Sequence, residues 1–223
     1  IAIIIVTSPS PVHPDTSMLW EVLLSVDEHM PEFGRCPIVV VCDGFKLAST
    51  FKRRNPFCSA KTGFILEDAA RMYEAYKSSL RHELDLYGEK MGRQCFLLDL
   101  CEHSGFAFGV KHGILYAKEH FSSKFALILQ HDRCFTDSSG VSTDCLLQSF
   151  ADNPFIRYMG FPTKASIHYM QYQQDTFRSV WAGVQERLSV AVKIPTDCEG
   201  LGLLPMMFWY DSNHIVHIDR MLE

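Results

Sequence analysis

No two cysteines in this sequence are spaced as C-x-x-C, no apolar run approaches bilayer length, and basic residues cluster only at Lys52, Arg53 and Arg54. Each absence removes a class of protein. The eight cysteines (Cys36, Cys42, Cys58, Cys95, Cys101, Cys134, Cys145, Cys198) are scattered over 223 residues. A zinc site normally uses closer ligand pairs, and a disulfide framework is typical of much shorter secreted chains. Cys42 and Cys95 fall within apolar, strand-like runs, where a reduced thiol acts as a small hydrophobe. Reduced cysteines and a cytoplasmic setting are therefore expected. The opening IAIIIV is too short to span a bilayer and has neither a basic flank nor a cleavage site, so no membrane segment is expected within the sequence. The missing initial methionine suggests a piece of a longer chain. With 21 Lys and Arg against 26 Asp and Glu, the formal net charge is −5. That balance argues against a nucleic-acid partner held by broad phosphate neutralisation. Repeats, low-complexity runs and linkers are also lacking.

What is present reads as one folded domain over residues 1–223, with 47% hydrophobic and 21% charged residues. Residues 1–6 are apolar without alternation, which predicts a central parallel strand covered on both faces. A Thr/Ser/Pro loop follows, then Asp15, Thr16 or Ser17 as N-cap of a helix running to Pro31. Ile38–Cys42 repeats the strand pattern and ends in Asp43-Gly44. A helix is expected over Leu66–Tyr87, a third strand over Gln94–Leu100, and a helix containing Gly105, Gly109 and Gly113. Four-residue spacing puts those glycines on one helix face, for close packing or close ligand approach. A strand over Phe125–Leu129 then runs into Gln130, His131, Asp132 and Arg133. Beyond it come a short helix ended by Asn153-Pro154, a strand in IRYMGFPT, a helix over Thr176–Leu188 and a strand over Pro205–Tyr210. Asp211, Ser212 and Asn213 are cap candidates for a last helix carrying His214 and His217. The alternation of strands and helices through residue 130 predicts an α/β fold with a mostly parallel central sheet and helices on both faces, followed by a less regular second half.

Four strands end in polar groups: Thr7 and Ser8, Asp43, Gln130 to Asp132, and Asp211. Each alone reads equally as an ordinary turn or cap. Together with the glycine-rich helix, they point to a nucleotide site at the carboxyl edge of the sheet.

These segments resemble the GT-A fold glycosyltransferases, in particular the large inverting family with a Rossmann-like nucleotide-sugar half. IIIVTSPSP is similar to that family's first strand and loop, VVVCDGF to the strand whose Asp holds the uracil, and GFAFGVKHGILYA to its G-x-G-A-A-R-N-x-G-x-x-x-A segment. ALILQHD is similar to the strand ending in the metal-binding D-x-D. The resemblance covers residues 1–135 as the nucleotide half and leaves 136–223 as the acceptor half. It implies Thr7, Ser8, Pro9, Asp43, Gly105, Lys111, Gln130 and His131 at the nucleotide, with Lys111 supplying charge towards a diphosphate where the family has an Arg-Asn pair at Val110-Lys111. Asp132, the one carboxylate of the altered D-x-D, is implied as metal ligand, with His214 completing the site. Two histidines three apart on a helix also read as structural.

The implied activity moves a sugar from a nucleotide-diphosphate sugar, a UDP-sugar, to a glycan or other hydroxyl acceptor, with inversion and with Mn2+ or Mg2+ neutralising the leaving diphosphate. Asp211 is the base implied by its context, with Asp197 and Glu199 as rivals and a plain N-cap as the other reading. Trp181, Trp209, Tyr169, Tyr172 and Tyr210 are candidates for stacking on an acceptor sugar or for the core. Two other readings stay open. One is a GT-A domain that binds glycan or a partner without turnover, supported by Gln130 in place of an acid. The other is a sugar-nucleotide pyrophosphorylase, disfavoured because TSPSPVHP lacks that family's glycine-rich basic motif.

Overall fold

A computed structural model describes residues 1–48, 63–136, 142–161, 175 and 212–223. In chain order they form strand β1 (Ala2–Thr7), helix α1 (Ser17–His29), a 3-10 turn (Pro31–Phe33), β2 (Ile38–Cys42), β3 (Lys46–Leu47) and β4 (Phe64–Ile65). Then follow α2 (Glu67–Met91), β5 (Cys95–Asp99), α3 (Gly105–Phe121), β6 (Phe125–Gln130), α4 (Thr143–Asp152), β7 (Tyr158–Gly160), β8 (His214–His217) and a short α5 (Ile218–Leu222). The main sheet has six strands in the order β5-β2-β1-β6-β8-β7. β5, β2, β1 and β6 are mutually parallel, while β8 runs antiparallel between β6 and β7. The α/β class and the mostly parallel sheet expected from the sequence are what the chain adopts.

Side-chain alternation explains why the strands are apolar throughout. Ile3 and Ile5 of β1 join Leu19, Val22, Leu23 and Val26 of α1 and Tyr73, Tyr76, Leu80 and Leu84 of α2 in one core. Ile4 and Val6, facing the other way, join Val110, Ile114 and Ala117 of α3 and Ile218 of α5 in a second. Every residue of β1 and β2 is buried, so neither face tolerates a polar side chain until the strand ends. α2 closes with Gly92 in the left-handed conformation (φ 63°), a standard helix stop.

The glycine stripe of α3 serves packing along most of its length. A methyl on Gly109 would sit 2.8 Å from Cγ1 of Val6, and one on Gly113 2.5 Å from Cγ2 of Ile4 and 3.1 Å from Cγ2 of Val41. α3 therefore lies closer to β1 and β2 than a helix with side chains at those positions could. Gly105, at the helix start with φ 75°, has open space where a methyl would be.

Two expectations need correction. His214 and His217 are on strand β8, not on a final helix. Ile215 and Val216 bury on opposite faces of the sheet, in the first and second cores respectively, and pair with β6 on one side and β7 on the other. This two-sided burial outweighs the helix signal of the Asp211 to Asn213 caps. The cysteines are not uniformly reduced either: Cys36, Cys42, Cys95, Cys101 and Cys134 are free thiols, but Cys145 is disulfide-bonded. The inference of a cytoplasmic setting, which rested on reduced thiols, loses that support. Among the described residues no helix is long and apolar enough to cross a membrane.

The α3 contact yields a direct test. Alanine normally improves a helix by about 1 kcal/mol over glycine, yet overpacking a core costs about 1–3 kcal/mol. Ile4 and Val41 are β-branched and on central strands, so they have little freedom to retreat. Gly113→Ala is expected to lower stability by about 1–2 kcal/mol, read as a lower urea midpoint; a higher midpoint would refute the close contact.

Candidate functional site

The chain visits β1, β2 and β5 moving one way across the sheet, then returns through α3 to place β6 on the other side of β1. At such a reversal the loops leaving the two adjacent strands diverge and open a crevice at their carboxyl ends. A cleft of about 410 Å³ occupies this position. The end of β1 contributes Val6, Thr7 and Ser8, the end of β2 Asp43, and the end of β6 Gln130, His131 and Asp132. His103, Gly105 and Phe106 complete it from the start of α3.

Parallel register sets the floor. Thr7 pairs with Cys42 and Val6 with Gln130, and the Asp43 amide donates to the Thr7 carbonyl at 2.8 Å. Asp43 is almost fully buried. Its Oδ1 accepts from the Ser104 amide at 2.7 Å and its Oδ2 from the Gly105 amide at 3.0 Å, while His103 Nδ1 stands 2.8 Å from the same Oδ2. Two of the amide groups that α3 leaves unpaired at its start are thus satisfied by a carboxylate, which also suits the positive end of the helix dipole. Asp43 lines the cleft, but both of its carboxylate oxygens already accept backbone amides and one also faces the His103 ring.

On the opposite side, Gln130 to Arg133 form a turn closed by the Arg133 amide donating to the Gln130 carbonyl at 3.3 Å. Asn213, nearly fully buried, spans it: its Oδ1 accepts from the Gln130 amide at 3.4 Å and its Nδ2 donates to the Arg133 carbonyl at 2.8 Å. His131 Nδ1 lies 3.3 Å from the Val6 carbonyl. A carbonyl only accepts, so Nδ1 carries the proton and a neutral ring keeps its lone pair at Nε2. Asp132 is exposed at the mouth.

Beneath the first loop sits a buried aromatic layer. Tyr73 donates to the Asp43 carbonyl at 3.1 Å, Tyr76 lies 3.5 Å from Thr7 Oγ1, and His13 packs on Tyr76 with ring centroids 4.0 Å apart. His13 Nε2 meets the Ser8 carbonyl at 3.1 Å. Burial, partly offset by that bond, keeps His13 below the ordinary histidine range. At the next strand end, Asp99 is paired with the buried Lys77 at 3.0 Å.

Seven residues named from the sequence therefore meet in one cleft: Thr7, Ser8, Asp43, Gly105, Gln130, His131 and Asp132. Pro9, Lys111 and His214 do not line it. Lys111 is exposed within α3, and His214 is fully buried opposite Ile128 with its Nδ1 2.6 Å from the Ser212 carbonyl. Asp211, Asp197, Glu199, Trp181, Trp209, Tyr169, Tyr172, Tyr210, the Lys52 to Arg54 cluster, the 176–188 helix and the 205–210 strand lie outside the described residues. Sequence reading missed His103, Phe106 and Asn213. The first two follow a strand and open a glycine-rich helix, and that position was a usable signal. Asn213 had none, since only the sheet order brings it to β6. No protein-family model matches the chain, and the curated proteins contain no match to it.

Burial gives His214 a testable signature. Desolvation, opposed by the bond to Ser212, lowers its pKa from 6.5 to about 4. The native ring is neutral while the unfolded chain takes up a proton near 6.5, so this contribution is complete above that pH and is lost as pH falls towards about 4. The loss amounts to up to about 3 kcal/mol at ~1.36 kcal/mol per unit. His214→Asn is expected to flatten this part of the acid limb in urea titrations between those limits. An unchanged slope would assign the acid sensitivity to other groups.

Proposed function

We propose that this chain is a GT-A-like domain that transfers a sugar from a nucleoside-diphosphate sugar, a UDP-sugar, to a hydroxyl acceptor with inversion and with the help of a divalent cation. The observation that carries the reading is the meeting of three polar strand ends in one cleft at the reversal of strand order. That is where α/β sheets bind nucleotides.

The donor set at the mouth suits Mn2+ or Mg2+ brought in with phosphate. Among the described residues no group of three His, Cys, Asp or Glu could cage an ion, and small hard cations are commonly held by one or two protein ligands plus substrate phosphates and water. Asp132 supplies the charge. His131 has the second-shell arrangement usual for a metal-bound imidazole, one ring nitrogen on a carbonyl and the other left for the ion. A bound cation would neutralise charge developing on the leaving diphosphate. Among the described residues no Lys or Arg lines the cleft, and the bound cation would supply the positive charge facing the diphosphate. Asp211, as the base, would take the proton from the acceptor hydroxyl.

A second reading, binding without turnover, is favoured by one feature: Gln130 stands where a first carboxylate would be. The two readings separate experimentally. Thermal unfolding with UDP, Mn2+ and both is expected to show a rise of several degrees with the pair, in line with about 2.7 kcal/mol at a hundredfold excess over Kd. No rise under any condition would refute the nucleotide site. Asp132→Ala should remove the metal-dependent part and, being an exposed substitution, change the ligand-free midpoint little. Sugar release from a panel of UDP-sugars supports transfer, whereas stabilisation without release supports the binding reading. Asp211→Asn should retain UDP binding and lose transfer; retained transfer would exclude it as the base.

A further inference from the structure

We infer that His103, held by Asp43, is the residue that reads the base of the bound nucleotide, and that the cleft selects a base offering a ring N–H next to a carbonyl, as uracil does. The inference rests on the nucleotide reading above and goes beyond it to the residue that selects the base and the chemistry by which it does so.

Contacts from two segments, Asp43-Gly44 and Gly63, hold His103 and the residue before it. His103 Nδ1 meets Asp43 Oδ2 at 2.8 Å. Gly63, with φ 74°, lies flat against the ring, since a methyl there would be 2.2 Å from Cγ of His103. Gly44 admits the backbone of the preceding residue, because a methyl there would be 2.4 Å from the Glu102 carbonyl carbon. The loop between β5 and α3 is thus clamped on both sides, and His103 is delivered to the cleft wall rather than left on a mobile turn.

The chemistry follows from the clamp. An ionised carboxylate only accepts, so the Nδ1 facing it carries the proton, and in the neutral tautomer the acceptor lone pair is at Nε2. Nε2 makes no hydrogen bond to another described residue. Asp43, committed to Ser104, Gly105 and His103, is poorly placed to accept from a ligand itself. It acts instead as the positioning group. Phe106 lies three residues on, half-buried against the second core and also lining the cleft, where a ring face can take the flat side of a base. An acceptor at Nε2, in a cleft that Phe106 also lines, favours the N3–H of uracil or the N1–H of guanine. Cytosine presents a lone pair at the equivalent atom and is opposed.

The test is calorimetric titration of UDP, GDP and CDP, each with Mn2+, into the wild-type chain and into His103→Ala and His103→Gln. UDP is expected to bind at least tenfold more tightly than CDP. His103→Ala should weaken UDP tenfold or more, leave CDP unchanged and bring their ratio close to one. His103→Gln, which offers an amide oxygen as acceptor, should recover part of the preference and guards against misfolding of the alanine variant. GDP binding as well as UDP would place the selection at the N–H alone; UDP without GDP adds a size limit, and either outcome supports His103 as reader. A UDP preference that survives in both variants overturns the inference while leaving the nucleotide site standing. No binding of any of the three nucleotides to the wild type overturns both.

Discussion

The approach of α3 to β1 is the constraint on which the rest of the site depends. Gly109 and Gly113 remove the side chains that would hold the helix away from Val6, Ile4 and Val41, and the helix settles onto the sheet. Its first turn then falls beside the end of β2, within reach of Asp43. A helix lying even a methyl group further out would present its unpaired amides to water, and Asp43 would be a buried carboxylate without partners, a state costing several kcal/mol. Packing and electrostatics thus depend on each other: the glycines bring the helix in, and the carboxylate makes its arrival favourable.

The same logic extends to the other wall. The turn after β6 carries the polar groups out of a fully buried strand, and such a turn has backbone groups needing partners. Asn213 supplies both a donor and an acceptor, and it can do so only because β8 is inserted antiparallel beside β6. One wall is therefore held by a residue adjacent in the sheet but more than eighty positions away in sequence, while the other is held locally, through the loop joining β5 to α3. The two walls are held by sets of contacts that share no residues.

Much of this was legible from residue order. Unbroken apolar runs at residues 1–6 and 38–42 required a sheet covered on both faces, and their abrupt polar ends marked where the covering stops. The glycine spacing of α3 announced a close contact without saying with what. What could not be read was set by pairing distant in sequence. HIVH has the caps of a helix before it and alternation too short to decide against one, and only its insertion between β6 and β7 makes it a strand. For the same reason Asn213 read as a cap and His214 as a ligand, whereas one clamps the turn and the other is buried in the sheet. Lys111 was placed by motif position alone; the exposed face of α3 carries it instead, since the opposite face is taken by Gly109 and Gly113.

The charge pattern of the cleft gives the arrangement a direction. Among the described residues its lining carries two carboxylates and two histidines and no Lys or Arg, in a chain of net charge −5. An anionic ligand entering alone would meet repulsion from Asp132 and gain nothing from Asp43, whose charge is absorbed by the helix amides and His103. A divalent ion arriving with the anion, as proposed above, would reverse that balance, because Asp132 would then attract the complex as a whole. In the proposed reading the neutral end of the ligand would be recognised by directional hydrogen bonding, which a histidine of defined tautomer can provide. In the proposed reading the mouth of the cleft and its inner wall would divide the work: charge would be handled where Asp132 is exposed, and hydrogen-bond pattern where His103 lies against Asp43.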